Sequence, residues 1–144
     1  KLLRTSRRDE RDDVETDEGE KEMIDLRKMP MQTMFDTVVT HLRKQGKKSV
    51  GADELGNNMC LYRGPGGLKC AVGILIPDDQ YYSYMESRGV SDLCNDYEMK
   101  ASNKQQRLMA YLQEVHDGYN VALWEDHFES AATEFELDYA APTP

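Results

Sequence analysis

Three cysteines (Cys60, Cys70, Cys94) and three histidines (His41, His116, His127) are the side chains that could carry nucleophilic or metal chemistry. Protein metal sites usually rest on close ligand pairs such as C-x-x-C, which reach one ion from a single turn. No such pair occurs here and the histidines are scattered, so the spacing predicts buried, inert thiols, with no metal and no cofactor. A thiol nucleophile needs a base within hydrogen-bond reach and a group that orients the base. Cys70, His116 and Asp117 are the right residue types. Successive helical side chains project about 100° apart, however, which predicts that Asp117 orients His116 poorly. A histidine near the end of a helix is also well placed simply to interact with the helix dipole. A small thiol- or metal-dependent enzyme using Cys70 and His116 is therefore carried as an alternative.

An odd number of cysteines at low density fits a reducing compartment better than a disulfide scaffold, although one bridge plus one free thiol stays open. Gly64-Pro65-Gly66-Gly67 lacks the G-K-[ST] ending of a phosphate loop, and proline removes an amide donor. It reads as a turn. The basic residues Arg43, Lys44, Lys47, Lys48, Arg63 and Lys69 suit a phosphate or an acidic partner, or simply a solvated helix end. Tyr81, Tyr82 and Tyr84, with Met85, make the best binding candidate, because aromatic residues and Met are enriched at interfaces. Three aromatics in so short a stretch cannot all face one core. The candidate binding set is Tyr81, Tyr82, Tyr84, Arg63 and Lys69; no catalytic residue is assigned.

The elements that must hold these residues follow from patterning. The chain has 144 residues, of which 39% are hydrophobic, and a net charge of −9. That length supports a single core. No run approaches the roughly 18 apolar residues of a membrane helix, and the acidic balance argues against direct nucleic-acid binding. The charged first dozen residues carry no apolar run of the secretory kind.

Residues 1–28 separate their charges into a basic and then an acidic block without an aromatic, which predicts a flexible or partner-ordered arm. Residues 29–137 form one compact domain, and 138–144 a fraying tail. Met31, Met34, Phe35, Val38, Val39 and Leu42 lie on one face of a helix, with Pro30 at its start and Gly46 at its end. The polar stretch 47–58 reads as turn material. Residues 57–63 read as a strand returning through 68–72, giving a hairpin. In that register Cys60 and Cys70 fall on opposite faces, and a one-residue bulge would align them, so their pairing is left to geometry.

Asp78 or Asp79 could cap a short helix through Met85 to Gly89, and residues 91–97 add another turn. Ser102 and Gln105 have capping-box spacing ahead of Leu108, Tyr111, Leu112 and Val115. Asn120 then caps a helix whose apolar face is Val121, Trp124, Phe128, Ala131, Ala132 and Phe135. The expected fold is α+β: a small, mainly helical domain of about four helices around one short antiparallel hairpin.

The stretch from Cys60 to Asp79, C-L-Y-R-G-P-G-G-L-K-C-A-V-G-I-L-I-P-D-D, resembles a group of small uncharacterised tailed-bacteriophage proteins. Their hairpin motif is C-x-Y-R-x-x-x-G-x-K-C-A-x-G-x-L-I-P-D. The likeness continues through the Phe35–Gly46 helix, Tyr81, Met85-Glu86, the run from Leu112 to Asp117 and Trp124-Glu125, covering about residues 31–135. Members often have a further cysteine where this chain has Ile74. A weaker likeness joins Cys70-Ala71-Val72-Gly73 and Trp124-Glu125-Asp126 to motifs of uncharacterised actinobacterial proteins. The resemblance implies a phage origin and supplies no reaction. The expectation is a non-catalytic phage accessory protein in the host cytoplasm that binds a host or phage macromolecule, with an acidic polyanion mimic as one version. A virion structural component is a further alternative, and the oligomeric state is open.

Overall fold

The computed structural model describes residues 23–143 apart from Glu54 and Tyr97. Residues 1–22 of the arm expected over 1–28 lie outside the described residues.

Four helices and two small two-stranded sheets enclose one apolar core, as the patterning predicts. The first helix, α1 (Met31–Gln45), buries Met34, Phe35, Val38, Val39 and Leu42. Gly46 ends it in the left-handed region, φ 71°, where its N–H reaches the Leu42 carbonyl.

Ahead of α1, β1 (Ile24–Asp25) runs parallel to β4 (Met99–Lys100), pairing Ile24 with Met99. Ile24 and Leu26 are buried, and the buried Gln105 amide donates to the Leu26 carbonyl at 2.6 Å and the Met29 carbonyl at 2.9 Å. Residues 24–28 thus belong to the compact unit rather than to an arm. Their period-2 pattern is only three residues long and sits among charges, so no strand signal stood out.

The hairpin exists, with a different partner from the one expected. Strand β3 (Asn58–Cys60) pairs antiparallel with the preceding β2 (Val50–Ala52), in register Val50–Cys60, Gly51–Met59 and Ala52–Asn58. The Asp53 carboxylate closes the loop by accepting from the N–H groups of Leu55 and Asn57. Residues 68–72 form no strand. After the turn of Pro65–Gly67, the Gln45 side chain does what a neighbouring strand would. Its carbonyl accepts from Lys69 N–H and its amide donates to the Lys69 carbonyl, both at 2.9 Å. The His41 ring adds a contact to the same carbonyl at 2.9 Å. The chain then folds tightly at Gly73, where a Cβ would lie 2.4 Å from the Tyr62 carbonyl oxygen.

The helix expected from Asp78 to Gly89 is instead two separate 3-10 turns, Asp78–Gln80 and Ser83–Met85, split by extended Tyr82. Asp78 does not cap; its carboxylate pairs with Arg63 and Lys69. Helix α2 (Val90–Asn95) follows.

Helix α3 (Asn103–Gly118) starts with the full Ser102–Gln105 capping box. Asn120 makes no side-chain cap, and a turn at Val121–Leu123 precedes α4 (Trp124–Phe135). Val121 is exposed, whereas Trp124, Phe128, Ala131, Ala132 and Phe135 are buried.

The segment expected to fray is fastened across α1. Asp138 N–H donates to Gln32 at 2.8 Å, Arg43 donates to the Ala140 carbonyl at 2.7 Å, and the Tyr139 hydroxyl donates to Glu125 at 2.7 Å. The first two join a side chain of α1 to backbone 106 and 97 positions away, which no local pattern reveals. Among the described residues no helix is long and apolar enough to cross a membrane.

Candidate functional site

The last turns of α3 carry Gln113, His116 and Asp117, spaced so that one side of the helix end presents all three. The His116 ring has no exposed surface and stacks on Trp124, with centroids 5.7 Å apart. Buried Ser49, one residue before β2, donates its backbone N–H to His116 Nε2 at 2.9 Å. Its hydroxyl donates to the Leu61 carbonyl at 2.8 Å, so Ser49 locks the hairpin base to α3.

An amide N–H can only donate, so Nε2 must hold a lone pair and the ring proton must sit on Nδ1. Nδ1 lies 2.6 Å from Asp117 Oδ1. The expectation that these neighbours are poorly arranged is therefore overturned. Nδ1 is the ring nitrogen nearer the backbone, and a short aspartate side chain on the adjacent flank curls back to it.

Gln113 donates to the same oxygen, Asp117 Oδ1, at 2.9 Å, and its carbonyl accepts from Val72 N–H at 2.9 Å. The Cys60 Sγ lies within 4.8 Å of an Asp117 carboxylate oxygen. Cys60, Cys70, Gln113 and Asp117, with Tyr62, Ser87, Arg88 and Gly89, line a partly open cavity of about 240 Å³. The Tyr62 hydroxyl donates to the Arg88 carbonyl beside it.

This cavity sets the acid–base character of the group. Burial, reinforced by the charge of Asp117, pushes the Cys60 thiol up to about 11 despite the opposing pull of Lys48. Burial pushes Cys70 up to about 12, against hydrogen bonds from Gly73 and Gln113 that favour the thiolate. Burial would also raise Asp117, but hydrogen bonds from His116, Gln113 and Cys60 outweigh it and hold the carboxyl below its ordinary value. The thiols are thus protonated near neutrality, and the His116 lone pair is already engaged.

The thiol that meets His116 and Asp117 is Cys60 rather than Cys70. Donor atoms of Cys60, His116 and Asp117 all lie within 4.8 Å of one another. The three cysteines are free thiols. The part of this grouping legible in sequence was the adjacent His116–Asp117 pair near the end of one helix; the thiol named with it was Cys70, and nothing local pointed to Cys60 or Gln113.

The five residues of the candidate binding set divide into two groups. Arg63 points inward, donating to the carbonyls of Gly73 (2.8 Å) and Ile76 (2.6 Å), pairing with Asp78 and covering the Tyr81 ring at 4.9 Å. Lys69 shares Asp78 at 3.2 Å. Tyr81 donates to Glu86, whose carboxylate also accepts the N–H groups of Tyr62 and Arg63. These three side chains hold the 62–86 loop region together. Tyr82 and Tyr84 are 38% and 47% exposed and stack with centroids 5.6 Å apart, with Arg88 over Tyr84. The basic cluster is likewise partly engaged, with Arg43 on Glu125 and Lys48 on the Asp117 carbonyl.

No family model, no curated protein and no solved structure matches this chain.

Proposed function

We propose that the chain works by binding a macromolecular partner and not by catalysis. The observation that carries this reading is the commitment of His116. With Nε2 accepting from Ser49 and Nδ1–H donating to Asp117, the imidazole has no lone pair to take a proton from the neighbouring thiol. A protonated thiol without a base is a weak nucleophile.

The surface that suits a partner is the stacked Tyr82–Tyr84 pair with the Arg88 guanidinium above it. Tyr and Arg are the residue types over-represented where binding energy concentrates. The motif likeness to tailed-bacteriophage proteins supports a phage accessory role and a partner in the host cytoplasm. The net charge of −9 favours a partner presenting basic surface.

The test is affinity capture from infected and uninfected host lysate with wild type and a Y82A/Y84A double variant, at several salt concentrations. Both tyrosines are surface-exposed, so the double variant should fold. A partner retained by wild type and lost by the variant supports the reading. Absence of any partner that distinguishes the two sinks it.

A further inference from the structure

We propose that the cavity between α3 and α4 binds an organic cation, the guanidinium or ammonium head of a side chain on a basic peptide. Tyr111, Glu114, Val115, Tyr119 and His127 line it, and its volume is about 200 Å³. A cavity of about 150 Å³ already holds a benzene-sized molecule, so a side-chain head fits.

Helical spacing assembles one wall. Tyr111, Glu114, Val115 and Gly118 recur at i, i+3, i+4 and i+7, on one face of α3. Gly118 leaves room on that face, since a Cβ there would lie 2.5 Å from Glu114 Oε2. The carboxylate thus rests over the last turn of the helix. Just beyond, the Tyr119 carbonyl accepts from Trp124 Nε1 at 3.3 Å, and the Tyr119 ring stacks on His127 of α4 with centroids 3.8 Å apart. Tyr111 meets Phe135 edge to face at 6.0 Å. The rings are therefore held in place before any ligand arrives, which lowers the ordering cost of binding.

The chemistry of the walls selects a cation. Aromatic faces attract positive charge, and a carboxylate forms its strongest hydrogen bonds with ionised donors. Among the described residues, no Lys or Arg lines this cavity, and the Glu114 carboxylate has no hydrogen-bond or ion-pair partner. An anion would be repelled by that carboxylate, and an apolar ligand would leave it unpaired. Tyr111 also borders a second hollow, lined on the α4 side by Asp126, Glu129 and Glu134. One basic head in the aromatic cavity would therefore place neighbouring basic residues over these carboxylates, in keeping with the net charge of −9. The inference rests on the proposed binding role, but it puts the basic partner on a surface separate from the Tyr82–Tyr84 pair.

The full chain, labelled with ¹⁵N, is titrated by NMR with acetyl-pentaarginine amide and with the pentacitrulline peptide, its uncharged isostere. Pentaarginine should give saturable shifts at Tyr111, Glu114, Tyr119 and His127, and pentacitrulline should bind at least about 10-fold more weakly. E114Q and Y111L should each weaken pentaarginine binding by at least about 3-fold. D79N, which removes an equal charge outside the cavity, should change it by less than about 2-fold. Absence of saturable shifts at the cavity residues overturns the site, as does equal binding of the two peptides or an E114Q effect no larger than that of D79N. The peptide comparison uses the wild-type chain and decides the matter even where a variant fails to fold. Y82A/Y84A should titrate as wild type does, so failure here leaves the capture experiment standing; weakened binding in that variant would move the cation to the other surface and overturn this site.

Discussion

The backbone N–H of Ser49 donates to Nε2 of His116 at 2.9 Å in a place without solvent. This bond sets the tautomer of the ring, points its proton at Asp117, and joins the hairpin to the end of α3. The phenylalanine variant His116→Phe keeps much of the ring volume against Trp124 but removes both hydrogen bonds. Leaving the Ser49 amide unpaired costs about 1–3 kcal/mol. Urea unfolding of H116F should show a correspondingly lower midpoint with an unchanged slope; a midpoint equal to wild type would mean that the Ser49 bond contributes nothing.

Arg63 is expected to matter for stability rather than for binding. Its guanidinium spans the carbonyls of Gly73 and Ile76 while stacking on Tyr81. A lysine keeps the charge but has no planar fork, so R63K should cost roughly 1–3 kcal/mol. Thermal melts check the loss. An R63K protein as stable as wild type, yet deficient in partner capture, would move Arg63 back into the binding set.

Gly73 is held by space. An added Cβ would sit 2.4 Å from the Tyr62 carbonyl oxygen, a backbone atom that cannot rotate away. Gly73→Ala should therefore destabilise by about 1–3 kcal/mol. Gly66→Ala meets no atom within 4 Å but sits at φ 73°, so its smaller cost is one of backbone conformation. Chemical denaturation of the two variants separates these causes, and equal stabilities would contradict the packing argument.

Acid should loosen the C-terminal segment first. The Arg43 guanidinium beside Glu125 holds that carboxyl below its ordinary value, helped by the Tyr139 hydroxyl and opposed by burial. A depressed folded-state pKa gives stability that is fully present above the unfolded value, near 4.3, and is lost as pH falls through the lower folded value. The pair is partly exposed, so the effect is under about 1 kcal/mol. E125Q should be less stable than wild type at pH 7, and the gap should narrow progressively as the pH falls below the unfolded value of about 4.3. A gap independent of pH would assign the loss to packing.

Where a feature depended on neighbours three or four residues apart, it was legible in the chain alone. The α1 stripe, its Gly46 terminus, the Ser102–Gln105 capping box and the buried face of α4 were all of this kind, and with them the α+β class. Repeating local geometry writes itself into residue spacing. Choices among equally good distant partners left no such trace: Cys60 beside His116, β2 in place of residues 68–72, Gln45 on Lys69, and Asp138 on Gln32. Each turned on which groups become buried together and must satisfy one another's hydrogen bonds, a condition that arises only when the whole chain closes on its core.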